Sequence, residues 1–411
     1  MRILSLFDGM ACGMLAMQGA GIKVDRYVAF EIDKHAVKTS SHNFTIIEHR
    51  GDVFQADFTE FCGFDFLIGG SPCTYWSIAQ KNNRETVASG IGWELFSQYV
   101  RALHEAQPRY FIYENNKSMS KAIRESITQA FGFEPICINS ALVSAQNRQR
   151  LYWVGRRNPD GTYSRVKVVQ PKDRGILLQD VLDGIKGPVA CRCRGRKDKD
   201  GNSFAKYECR EDGKANTIDT NTTNGSMVAV PVAINTTADG KKARTLMAGY
   251  YKYGTATLIT NKGFTGGTTA VAEPVNTTAE GKAQCLRATY YKDGIRNLVA
   301  NDVDRRTCVA EPILVGDAPV KAVSCPDGKV YPVYEVKDGQ ITINGKQYPI
   351  KLADGFYIIR KLTVRECKRL QTVPEWYVFP VSDTQAYKLL GNGWTVEVII
   401  HLIKAILFEC I

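Results

Sequence analysis

The sequence predicts an α/β protein: a Rossmann-like, mostly parallel sheet with helices on both faces, interrupted by an inserted, mostly-β domain. Three observations carry this prediction. Short apolar runs alternate with helical periodicity over the first 155 residues, the pattern of strands linked by crossover helices. From about 160 to 350 the chain turns rich in Thr, Asn, Gly, Lys and Tyr and loses long helical patterns. Helical signals return after about residue 356 and end in an apolar-faced helix, Val396 to Phe408, which needs a host.

Five apolar runs mark the first strands: Ile3 to Phe7, Arg26 to Phe30, a short one ending at Asp52, Phe64 to Gly69, and Arg109 to Tyr113. Candidate strands follow at Pro135 to Ala141 and Arg150 to Gly155. The middle segment contains a repeat, Asn235-Thr-Thr-Ala-Asp-Gly240 through Lys252 returning as Asn276-Thr-Thr-Ala-Glu-Gly281 through Lys292, with a third, worn copy at Gly213 to Ile218. Tyr334 to Ile350, with its Lys-Asp-Gly and Asn-Gly turns, reads as a β-meander. Thr363-x-x-Glu366 forms a capping box before a short helix that stops near Pro374. The expected division is 1–160 and 356–411 as one α/β domain, with 161–355 inserted and the repeats near 231–260 and 274–300.

With 411 residues, 44% hydrophobic and 23% charged, the composition excludes collagen-like and wholly disordered proteins. The formal net charge is +11, and between Arg156 and Arg210 there are 14 Lys and Arg against 7 Asp and Glu. That concentration suits a polyanionic partner. The chain reaches Asp8 before any signal-peptide core forms, so a cytoplasmic setting with reduced thiols is expected for its twelve Cys. No Cys-x-x-Cys occurs, and Cys191, Cys193 and Cys209 lack a nearby His, so no metal is expected. No membrane span is expected either, since no apolar run approaches roughly 20 residues.

The motifs that carry chemistry sit where strands end. Phe7-Asp8-Gly9 through Gly13 follows the first strand, with glycines that let backbone approach a ligand at a helix mouth. It is not Gly-x-Gly-x-x-Gly, which argues against a nicotinamide dinucleotide. Glu31, 22 residues after Gly9, suits ribose hydroxyls, and Asp52 an adenine amine; each carboxylate taken alone reads equally as a helix cap. Strand four runs into Gly69-Gly70-Ser71-Pro72-Cys73-Thr74, which sets a thiol at the carboxyl edge of the sheet. Such a Cys is a nucleophile or a small buried hydrophobe. Strand five ends in Glu114-Asn115-Asn116, a carboxyl beside that thiol if the two strands are neighbours. Gln146-Asn-Arg148-Gln-Arg150 precedes the last strand, where alternation aims both guanidinium groups one way.

Taken together these residues resemble the cytosine-5 DNA methyltransferases that use S-adenosylmethionine. Phe7-Asp8-Gly9 resembles the family's first motif, Pro72-Cys73 the catalytic one, Glu114-Asn115 the next, and Gln146-x-Arg148-x-Arg150 the arginine motif. Gly391-Asn392 with Thr395-Val396 resembles the last, cofactor-side motif, and Lys361 to Pro374 the helix before it. The resemblance spans about 1–156 and 357–411 in family order. Thr74 stands where Gln is commonest and Asn116 where Val is commonest.

The resemblance implies a class I methyltransferase sheet, with S-adenosylmethionine held by Phe7, Asp8, Gly9, Gly13, Glu31, Asp52, Pro72, Asn392 and Val396. It implies that the insertion is a target recognition domain reading a short double-stranded DNA sequence. Cys73 would attack carbon 6 of a flipped cytosine, Glu114 would neutralise ring nitrogen 3, and Arg150 would hold the exocyclic oxygen, with Arg148 or Arg150 favouring the thiolate. The polar segment Tyr75 to Trp93, with Ser77, Lys81 and Arg84, reads as a DNA-closing loop or a plain surface loop. Tyr250-Tyr251 and Tyr290-Tyr291 read equally as DNA contacts or as strand faces between repeats. A monomer is expected, with a cognate restriction endonuclease as a further partner. Two other readings stay open: a tRNA cytosine-5 methyltransferase, and a catalytically inactive DNA-binding regulator. Amino-group methyltransferases are disfavoured because the chain has no Pro-Pro.

Overall fold

The computed structural model describes residues 1–77, 84–182, 189–197, 203–210, 212–216, 227–231, 258–259, 271–272, 322–324, 330–343, 346–350, 352 and 354–408. The chain divides into two compact units. The first comprises Met1–Val181, Lys214–Gly225 and Thr363–Ile411; the second comprises Leu182–Gly213 and Ser226–Leu362.

In the first unit, β1 (Arg2–Leu6), β2 (Arg26–Phe30), β3 (Ile47–His49), β4 (Phe66–Gly69) and β5 (Tyr110–Asn116) pair in parallel. β6 (Ile136–Asn139) and β8 (Tyr163–Arg165) flank β7 (Gln149–Arg157), which runs antiparallel to β5. The order is β3-β2-β1-β4-β5-β7-β6, with β8 on β7. This is the doubly wound sheet expected from alternating strand and helix periods. The strands are buried almost throughout, as a parallel sheet covered on both faces requires.

Its helices are α1 (Cys12–Gly19), α2 (Lys34–Asn43), α3 (Ile91–Ala106), α4 (Lys121–Phe131), α5 (Val364–Leu370), α6 (Asp383–Asn392) and α7 (Val396–Leu407). Both arms of the Thr363 and Glu366 capping box form at the start of α5. α7 buries eight residues and lies against α1, where a Cβ on Gly19 would stand 2.4 Å from Ile400. The first unit therefore hosts the apolar terminal helix. Contrary to the expectation of no such run, Asp383–Leu407 does reach the length and hydropathy of a membrane-crossing helix. It is broken at Gly393 into α6 and α7, and 67% of its most apolar window is buried, as in core helices.

One strand end differs from the sequence expectation, and the end of the fifth strand matches it. β3 stops at His49, three residues before Asp52, whose side chain caps the 3-10 turn Val53–Gln55. β5 continues through Asn116, because Glu114, Asn115 and Asn116 pair with Tyr152, Leu151 and Arg150 of β7.

The second unit is built on an antiparallel sheet ordered β10-β9-β11-β18-β15-β16-β17. These are β9 (Val189–Lys197), β10 (Ser203–Cys209), β11 (Met227–Pro231), β15 (Val330–Lys337), β16 (Gln340–Ile343), β17 (Lys346–Pro349) and β18 (Gly355–Lys361), with β14 (Ala322–Ser324) on β15. β12 (Leu258–Ile259) and β13 (Val271–Ala272) pair separately. Its small core gathers Ala229, Val336, Ile341, Ile350 and Tyr357. β15 to β17 realise the meander. The repeats near 231–260 and 274–300, including Tyr250, Tyr251, Tyr290 and Tyr291, lie outside the described residues except for 231, 258 and 259.

Candidate active site

The strand order reverses between β2-β1 and β1-β4, and ligands of open α/β sheets bind in the crevice beyond such a switch. On one side of it, the turn after β1 puts Phe7, Gly9 and Ala11 at φ of 57°, 58° and 59°. Two of these are non-glycine residues in the left-handed region, a local strain that the surroundings must hold in place. Glu31 at the end of β2 does so: its Oε2 accepts from the Gly9 N–H at 2.8 Å, and its Oε1 from the N–H groups of Ile32 and Asp33.

The Asp8 carboxyl accepts from Ser5 and Tyr27 through Oδ1, while its buried Oδ2 has no partner. Burial raises its pKa to about 6, despite those two donors. Beyond β2 and β3, Ile32 is 77% exposed and Phe54 45% exposed, two apolar surfaces that the sequence reading missed. No local pattern marks them, since exposure is a property of the fold. A Cβ on Gly13 would meet Ile68 at 2.2 Å and the Tyr27 hydroxyl at 2.7 Å, so glycine there lets α1 pack closely on the sheet.

On the other side, β4 ends at Gly69, and Pro72 leads into a 3-10 turn, Cys73–Tyr75. Cys73 is partly exposed, and its carbonyl accepts from the N–H groups of Trp76 and Ser77 and from Asn116 Nδ2 at 3.4 Å. Asn115 donates to the Ser71 carbonyl at 3.1 Å, and Ser71 Oγ lies 2.7 Å from the Tyr113 hydroxyl. The end of β5 thus holds the thiol-bearing turn from below. Asn116, one of the two departures from the family pattern, is part of that support.

Glu114 is 8% exposed and bound on both oxygens: Arg150 Nε lies 3.1 Å from Oε1, and Trp394 Nε1 donates to Oε2 at 2.9 Å. Gly70 passes so close that a Cβ on it would stand 2.6 Å from the Glu114 carbonyl and 2.9 Å from Oε2. Arg148, 3% exposed, donates to the Gly391 and Gly393 carbonyls at 3.1 and 2.8 Å. Burial first and Arg150 next push its guanidinium down to about 10, against the pull of Glu114 and Cys73. It remains a cation at neutral pH. Both ends of the Arg148 fork, however, are engaged by main-chain carbonyls, which makes it a support of the turn between α6 and α7.

That turn is also held by Gln371, which donates to the Leu390 and Gly393 carbonyls and accepts from Thr395. Asn392 is exposed at the end of α6 and Val396 is buried at the start of α7. Trp394 and Gln371 escaped the sequence reading because their partners lie in other segments. In the loop after Cys73, Trp76 is fully buried, and its indole donates to Glu85 Oε2 at 2.9 Å while Glu85 Oε1 accepts from the Gly92 N–H at 3.0 Å. Arg84 donates to the Trp76 and Ser118 carbonyls. Ser77 is partly buried, and Lys81 lies outside the described residues. No metal-ligand cluster occurs among the described residues.

A Rossmann-like sheet with a strained, glycine-containing turn on one side of the switch and a thiol, a carboxyl and a guanidinium on the other has the form of a group-transfer enzyme. The family model for C-5 cytosine-specific DNA methylases matches residues 1–407, and the chain belongs to that family. It is 26% identical to the orphan methyltransferase M.SPRI of Bacillus phage SPR, over 99% of this chain and 97% of that one. It is also 26% identical to the type II methyltransferase M1.ScrFI of Lactococcus lactis subsp. cremoris, over 99% and 78%. The solved structure of a Spodoptera frugiperda DNMT2 aligns over 98% of each chain, with 14% identity and a TM-score of 0.49. The protein is an enzyme that methylates cytosine in DNA.

Proposed function

We propose that the protein transfers a methyl group from S-adenosylmethionine to carbon 5 of a cytosine flipped out of a specific duplex DNA sequence, through a covalent Cys73 adduct. The observation that carries this reading is the arrangement of Cys73, Glu114 and Arg150 at one sheet edge, with the Arg150 to Glu114 ion pair at 3.1 Å.

The β1 side fits the donor. Gly9 leaves open space where a Cβ would stand, Glu31 offers a carboxylate beside it for the ribose hydroxyls, and Ile32 and Phe54 offer apolar faces for the adenine ring. Asp52 Oδ1 is engaged by the Phe54 N–H, which leaves its other oxygen for the adenine amine. The buried, unpartnered Asp8 Oδ2 suits a cationic group nearby. S-adenosylmethionine, when bound, supplies an electrophilic methyl group there.

Carbon 5 of cytosine is a weak nucleophile, so carbon 6 must first be attacked. The Cys73 sulfur forms a bond to carbon 6, the electron pair of the 5,6 double bond shifts to between carbons 4 and 5, and the pair between carbon 4 and nitrogen 3 moves onto nitrogen 3, which leaves an enamine nucleophilic at carbon 5. Glu114 shares a proton with ring nitrogen 3 to neutralise it, and Arg150 orients the exocyclic oxygen. After substitution at carbon 5, loss of its proton to a base restores the double bond and expels the Cys73 thiolate. Reaching these groups requires the base to leave the duplex, at a cost of a few kcal/mol. The second unit, with its basic β9, would read the sequence.

Transfer of a labelled methyl group to duplex DNA, compared with tRNA, tests the substrate; label in tRNA alone overturns the proposal. Duplex DNA carrying 5-fluorocytosine should trap a covalent complex at Cys73, because fluorine does not leave as a proton does. An adduct mapped to another Cys would refute the mechanism.

A further inference from the structure

The turn between α6 and α7 is fastened to the catalytic acid. Arg148 and Gln371 hold its carbonyls at Gly391 and Gly393, Thr395 is buried and bonded to Ser140 and Gln371, and the turn brings the Trp394 indole N–H to Glu114 Oε2 at 2.9 Å. An indole has one donor and no acceptor. Its N–H therefore engages the one Glu114 oxygen that Arg150 leaves open.

Resting on the catalytic reading above, we propose that Trp394 is a positioning residue for Glu114. It fixes the carboxyl plane between an indole N–H on one side and the Arg150 guanidinium on the other, so that the acid meets the cytosine ring in a single orientation. Without Trp394 the carboxyl is held at Oε1 alone and can rotate about its terminal bond, whose torsional well is broad. Orientation of a reacting group within about an ångström decides rates by factors near a hundred. The turn also carries Asn392 and Val396, assigned above to the donor side, so Trp394 links the donor half of the site to the acid.

The test uses the full-length chain on duplex DNA under single-turnover conditions. Trp394→Phe keeps the bulk and loses the donor; Trp394→His keeps a ring N–H at similar reach. The expected result is a rate at least tenfold lower for Trp394→Phe with KM for the donor within threefold, recovery to within threefold of the parent for Trp394→His, and less than threefold further loss when Trp394→Phe is added to Glu114→Gln. A Trp394→Phe rate within threefold of the parent overturns the proposal, as does a loss that multiplies fully in the double variant. If Trp394→Phe does not fold, Trp394→His decides alone: a tenfold loss there refutes the role. Failure of the underlying reading looks different, since Glu114→Gln itself would then keep full turnover.

Discussion

At Cys73 the side chain is partly exposed while the backbone is held firmly, its carbonyl accepting from Trp76, Ser77 and Asn116. A nucleophile needs that combination of access and fixed geometry. Cys73→Ser should abolish methyl transfer while donor binding, followed by calorimetry, persists; turnover above a thousandth of the parent would contradict the assignment. Asn116→Val places the family's commonest residue here and removes the neutral hydrogen bonds of its side chain with Cys73, Asn115 and Ser118, each worth about 0.5–1.5 kcal/mol. The expected loss in kcat is about threefold to tenfold with KM unchanged, and steady-state kinetics check it. Asn115, Glu114 and Cys73 were legible in the sequence because each lies within a few residues of a strand end. The contact between Asn116 and Cys73 was not, since it spans 43 residues.

The strands that carry the site approach each other closely at Gly70. Gly70→Ala would press a methyl group against the Glu114 carbonyl, which is backbone and cannot swing away. We expect a destabilisation of about 1–3 kcal/mol and loss of most activity, read by a thermal melt and a methylation assay; unchanged values would show that β4 and β5 can separate there. In the loop after Cys73, Glu85 joins the Trp76 indole to the Gly92 N–H. Glu85→Ala leaves a buried indole donor unpartnered, at about 1–3 kcal/mol, and the melting temperature should fall accordingly. The sequence left this segment open between a DNA-closing loop and a plain surface loop, with Arg84 as a candidate DNA contact; in the fold Arg84 donates to the carbonyls of Trp76 and Ser118. Periodicity identifies a loop by the absence of pattern, and an absence cannot say where its charged residues turn.

Across the whole molecule, the buried Asp8 carboxyl makes stability depend on pH. Its folded value is about 6 against 3.8 in the open chain. Below 3.8 both states hold the proton and Asp8 contributes no penalty; between 3.8 and 6 the unfolded state releases the proton first, and stability falls until about pH 6. Asp8→Asn should therefore raise the melting temperature at pH 7.5 and leave it unchanged at pH 4, and equal effects at both would refute the assignment. The basic stretch from Arg156 to Arg210, with 14 cationic residues against 7 acidic, predicts DNA binding that weakens steeply with salt. A flat dependence of Kd on salt would exclude it as a phosphate-contacting surface.

By itself the sequence determined the α/β class, the order of strand-end motifs and the candidates for the reacting side chains. Strand periodicity, turn glycines and helix caps are local properties, written within a few residues of one another. Only the tertiary structure decided what those side chains touch. Arg148 meets the Gly391 carbonyl across 243 residues and Trp394 meets Glu114 across 280, and no local pattern encodes a pairing made when distant strand ends and turns converge on one sheet edge.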